Sequence, residues 1–124
     1  MHSRLLCVPL VVSLFFWGSG NAAPAPPTVR AEVDALFKKL QSSGCQFNRN
    51  GSWYSGAEAE NHLRRKLEYL EENNLVKSTE DFISLGASIS SSSGKAYLVR
   101  CGQSNSVESK IWLQEQLKGL RQGK

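Results

Sequence analysis

The chain has 124 residues, a formal charge of +4 and 40% hydrophobic residues, enough for one small domain with a modest core. Fifteen Lys and Arg against eleven Asp and Glu is too mild an excess to argue for nucleic acid, which takes a concentrated basic face.

Met1–Ala22 has the three-part layout of a secretory signal peptide: Arg4 in a short positive start, an apolar run from Leu5 to Trp17, and small residues from Gly18 to Ala23. Cleavage after Ala22 puts Gly20 and Ala22 at the small-residue positions, whereas a cut one residue later would leave Pro24 just past the scissile bond. The 13-residue apolar run is short of the ~20 residues a membrane-spanning helix takes. Cys7 precedes most of that run and is misplaced for a lipid acceptor, so the expected product is exported and not anchored. Removing 22 of 124 residues leaves 102, with a charge of +3 once Arg4 is gone. Two cysteines survive, Cys45 and Cys101; outside the reducing cytosol they read first as a disulfide, with two buried thiols as the alternative.

Residues 23–27, A-P-A-P-P, read as an extended tether with no reason to pack. Thr28 is placed to cap a first helix in which Val29, Val33, Leu36, Phe37 and Leu40 recur on one face, ending at Ser42 to Gly44. Cys45 to Asn50 alternates as a short strand, and Asn50-Gly51 is a turn signal. Ser55 and Glu58 have capping-box spacing, and Ala59, Leu63, Leu67 and Leu70 form the stripe of a second helix that Asn73-Asn74 stops after about Glu72. Ser78 and Asp81 repeat that spacing ahead of a short third helix with Phe82, Ile83, Leu85 and Gly86. Ser90 to Gly94 is a loop, and Ala96 to Cys101 is a strand by residue type. Asn105 and Glu108 are placed to cap a last helix with Ile111, Trp112, Leu113, Leu117 and Leu120 on its apolar side.

The order helix, strand, helix, helix, strand, helix predicts a small single α+β domain over residues 28–124, its helices packed on a two-stranded antiparallel ribbon. Two helices running out and back return the chain to the end it left, which favours antiparallel over crossover pairing. If Cys45 faces Cys101, opposed residues have numbers summing to 146, which pairs Phe47 with Val99, Arg49 with Tyr97 and Gly51 with Lys95. Opposed antiparallel Cα atoms lie about 4.5 to 5.5 Å apart, within reach of a disulfide. The same register sets Arg49 beside the Tyr97 ring for a cation-π contact.

Catalytic motifs are incomplete. Ser92 and Lys95 have the S-x-x-K spacing of penicillin-recognising enzymes, but Gly94 interrupts it, a strand follows, and the companion S-D-N and K-T-G motifs are missing. Gly94-Lys95 fails as a P-loop, because the leading glycine position is Ile89 and the hydroxyl position is Ala96. His62, with Glu58 and Lys66 one turn away, is the sole imidazole after processing, and it sits beside an apolar stripe with no nucleophile in evidence. One histidine and two paired cysteines leave too few ligands for a zinc-type site. Arg64-Arg65-Lys66 fans around the helix, and Glu60 and Glu68 are spaced to pair with Arg64, so a solvated, balanced face is expected.

The segments F-N-R-N-G-S-W-Y-S-G-A-E-A-E-N-H-L-R-R-K, T-E-D-F-I and S-S-S-S-G-K-A-Y-L-V-R resemble, in order and spacing, the YfeK-like family of small exported bacterial proteins, from about Ala31 to Leu120. The resemblance implies a Gram-negative periplasmic protein with a domain of unknown function, and it carries no catalytic or binding residues. The resulting expectation is a non-enzymatic envelope binding module, with no cofactor and no metal, whose partner is an envelope protein or component rather than nucleic acid. Its candidate surface is Arg49, Trp53, Tyr54 and Lys95, since aromatic and arginine side chains are common interface anchors. The alternative is a small hydrolase using His62 as acid or base.

Overall fold

A computed structural model describes residues 24–123, and the leader Met1–Ala22 with its cleavage point lies outside them. In chain order the elements are α1 (Pro27–Ser42), β1 (Gln46–Arg49), β2 (Ser52–Tyr54), α2 (Gly56–Glu72), α3 (Thr79–Gly86), β3 (Leu98–Arg100), β4 (Val107–Glu108) and α4 (Ser109–Gln122). This is an α+β domain in which the apolar stripes of the helices close over one face of an antiparallel sheet. Val29, Val33, Leu36, Phe37 and Leu40 of α1 are all buried, as are Ala59, Leu63, Leu67 and Leu70 of α2. Phe82 and Ile83 of α3 and Leu113 and Leu117 of α4 join them, while Trp112 and Leu120 pack at the margin. The apolar side expected for α4 is narrower than its sequence suggests, because Ile111 turns to solvent.

Helix starts follow local chemistry only in part. Ser55 and Glu58 form the reciprocal capping box, the Ser55 hydroxyl accepting from the Glu58 N–H at 3.1 Å and the Glu58 carboxylate from the Ser55 N–H at 2.9 Å. Ser78 caps α3 by accepting from the Asp81 N–H. Thr28 does not cap α1; the helix already begins at Pro27, whose fixed φ suits a first helical position. Nor does Asn105 cap α4, which continues directly from β4 at Glu108 with no side-chain cap. The expected loose tether is also corrected for residues 24–27, because Ala25 is buried and its N–H donates to the Glu71 carboxylate at 2.7 Å. Arg30 reaches the same carboxylate at 3.0 Å, so a charge pair on α1 and α2 fixes where the chain enters the domain.

The sheet has four strands in the order β2-β1-β3-β4, not two. At its centre Gln46 opposes Arg100, Phe47 opposes Val99 and Asn48 opposes Leu98, which is the register predicted from the cysteines. Cys45 and Cys101 are disulfide-bonded just beyond this ladder, with Cα atoms 4.1 Å apart. The ladder stops before the Arg49–Tyr97 and Gly51–Lys95 pairs, because Tyr97 spends its backbone elsewhere: its N–H donates to the Ser88 carbonyl and its carbonyl accepts from the Ser109 N–H. Asn50 and Gly51 take positive φ of 54° and 89°, the tight hairpin turn that folds β2 back on β1. At the other edge β4 pairs with β3 through Val107 and Glu108. Among the described residues no helix is long and apolar enough to cross a membrane.

Candidate functional site

Two features of local sequence build a cleft at the hairpin end of the sheet. The capping box sets the phase of α2, so that Glu58, His62 and Lys66, each four residues apart, follow one line along the helix with Asn61 and Arg65 beside them. The hairpin turn then brings Arg49 and Tyr54 against that line. The third wall is the serine turn: the Ser90 and Ser92 hydroxyls bond each other at 3.0 Å, and Ser93 Oγ donates to the Asn50 side chain at 2.5 Å, tying this turn to the hairpin.

Two adjoining cavities result, and they share Arg49 and His62. One, of about 290 Å³, is walled by Phe47, Tyr54, Ala59 and Arg65; the other, of about 370 Å³, by Lys66, Tyr97 and Ser90 to Ser92. Tyr97 is the buried floor, its ring 5.1 Å from that of Phe47 and edge-on to His62. The Lys66 ammonium sits 5.3 Å from the Tyr97 ring centroid and donates to the Tyr97 hydroxyl at 3.2 Å and to the Ile89 carbonyl at 3.3 Å. An ammonium only donates, so the Tyr97 hydroxyl accepts from Lys66, and the same hydroxyl hydrogen-bonds with His62 Nε2, 3.3 Å away.

Burial pushes the His62 imidazole down to about 4, with the positive charges of Arg49, Lys66 and Arg65 acting in the same direction. The folded value lies below the ordinary 6.5, so neutral His62 contributes its full stability above that pH. The contribution is lost as pH falls toward 4, because only the unfolded chain takes up the proton in that window. Allowing for solvent screening of a half-exposed ring, the loss is about 1 to 2 kcal/mol. Urea titrations at pH 7 and pH 4.5 on the native protein and on His62→Gln should show the variant free of this part of the acid sensitivity; equal losses in both would contradict the assignment.

Arg49 and Tyr54 of the predicted surface meet here, the guanidinium 6.0 Å from the ring centroid. Trp53 does not, because alternation along β2 sends it to the outer face opposite Asn48, where Arg100 lies 3.9 Å over its ring. Lys95 is exposed in the loop after the serine turn and lines neither cavity. The cation-π contact expected between Arg49 and Tyr97 is made by Lys66 instead. Of the basic run, Arg64 pairs with Glu60 at 2.7 Å as expected, and its second partner is Asp34 at 3.1 Å rather than Glu68. Arg65 and Lys66 are not paired: among the described residues neither they nor Arg49 make an ion pair. The i, i+4 spacing of His62 and Lys66 carried that signal, since it sets both on one side of α2 and Arg64 on another.

Comparison with curated proteins and with solved structures yields no match in either. Residues 27–121, from the start of α1 to the last turn of α4, match a family described as "Family of unknown function (DUF5329)", and the chain belongs to that family.

Proposed function

We propose that the protein is an exported, non-enzymatic binding module of the bacterial cell envelope, of the YfeK-like kind, and that the cleft around Arg49 and His62 is its contact surface. The observation that carries this reading is the gathering of Arg49, Arg65 and Lys66, unpaired among the described residues, around cavities open to solvent. Cations assembled without carboxylate partners repel one another, and an incoming ligand relieves that repulsion. Binding is favoured over the hydrolase alternative because general acid-base catalysis works best with a pKa near the working pH, and His62 is held near 4. The Cys45–Cys101 disulfide is in keeping with export.

The test is site-specific photo-crosslinking in intact cells. A crosslinker at Tyr54 should capture a partner that one at Gln114, on the exposed side of α4, does not, in protein recovered from the periplasm with Ala23 first. Full-length chain in the inner membrane would remove the assignment to the periplasm with a cleaved leader. Turnover of an ester, amide or phosphoester panel, lost in a folded His62→Ala variant, would install the hydrolase reading instead.

A further inference from the structure

We propose that the cleft takes a small ligand with an oxyanion head, a phosphate or a carboxylate, joined to a flat apolar body. This deepens the reading above and rests on the cleft being the binding surface. The two cavities differ in chemistry, and the difference assigns the two parts of the ligand.

The half bounded by Lys66 and the serine turn is lined by Arg49, His62, Lys66, Tyr97 and three serines, with no carboxylate among its lining residues. Lys66 uses two N–H donors on the Ile89 carbonyl and the Tyr97 hydroxyl, which leaves one for a ligand. The Arg49 guanidinium makes no hydrogen bond among the described residues, so its planar fork of donors is open. Two unpaired cations and serine hydroxyls lining one cavity can satisfy the several oxygens of a phosphate or carboxylate.

The other half has the Tyr54 ring, Phe47 and Ala59 as apolar walls, with Arg65 at its rim. Its one carboxylate, Glu58, is held by the capping box through the Ser55 N–H. Because the halves share Arg49 and His62, a head anchored in the first places an attached ring against Tyr54 in the second.

The experiment is a nuclear magnetic resonance titration of isotope-labelled protein with inorganic phosphate, phenyl phosphate, benzoate and phenol. Phenyl phosphate or benzoate should shift the signals of Arg49, His62, Lys66 and Ser92 and raise the pH at which the His62 ring titrates, because a bound anion favours the imidazolium. Phenol should leave these signals in place, and inorganic phosphate should bind more weakly than phenyl phosphate. A stronger response to phenyl phosphate than to benzoate names a phosphoryl head, and the reverse names a carboxylate one. Arg49→Gln and Lys66→Gln should each weaken binding roughly ten- to a hundredfold, the loss expected for a charge-assisted hydrogen bond. Tyr54→Ala should bring phenyl phosphate down to the affinity of inorganic phosphate and leave inorganic phosphate unchanged. Silence at these residues with all three anions, or an equal response to phenol, overturns the proposal on the native protein alone. If crosslinking from Tyr54 still captures a partner in that case, the anion assignment falls and the binding-module reading stands.

Discussion

Removing the Cys45–Cys101 disulfide, by reduction or as the double variant Cys45→Ala with Cys101→Ala, should lower stability by about 4 kcal/mol on the chain-entropy account. The bond joins residues 56 positions apart, so in the unfolded chain it forbids a large share of conformations that the reduced chain regains. For a domain of this size that is a large fraction of a total of about 5 to 15 kcal/mol, and it corresponds to a fall in melting temperature of roughly 15 to 30 °C. Denaturant titrations with and without reductant measure it. A midpoint that does not move would mean that the ladder through Phe47 and Val99 holds β1 to β3 unaided.

Gly56→Ala should cost about 3 kcal/mol through overpacking, although alanine is the better helix former. Gly56 opens α2 where that helix abuts the last turn of α1, and a Cβ there would collide with the Leu40 carbonyl oxygen and come within 2.9 Å of Gln41 Cα. These are backbone atoms, so no side-chain rotation relieves the contact and α2 must shift along with its capping box. Gly119→Ala is the internal control, since a Cβ in that part of α4 meets nothing within 4 Å. Its expected effect is a gain of about 0.5 to 1 kcal/mol from helix propensity and the restricted unfolded chain. Thermal melts of the two variants should move in opposite directions; a Gly56→Ala protein as stable as the parent would show that the α1–α2 approach is looser than described.

The helices and the central strand pairing were legible because each is encoded locally or by a single covalent constraint. The Ser55–Glu58 box fixed the start of α2, and one assumption about two cysteines fixed the β1–β3 register. The edge strands were not legible for a physical reason: β2 has three residues and β4 two, too few for alternation to register. For β2 a signal did exist, since Asn50-Gly51 is a hairpin turn that calls for a strand on its far side. The packing of Ala25 had no local cue, because its partner Glu71 lies 46 residues away. Of the surface proposed by residue type, Arg49 and Tyr54 line the cleft, whereas Trp53 lies on the outer face because its neighbour in β2 takes the inner one. Lys66 and Tyr97 were missed because their juxtaposition depends on Tyr97 leaving the ladder to bond Ser88 and Ser109, an event that propensity does not describe.

The brevity of the outer strands has a consequence for association. A sheet edge recruits other chains by offering a row of unpaired N–H and C=O groups. Here β2 runs through Ser55 into the cap of α2, and β4 passes directly into α4. Each rim therefore shows only two or three residues before the backbone turns into a helix that satisfies its own groups. The sheet is closed to growth by the early end of the strand at both margins, without the lysine or proline guards on which longer edge strands depend.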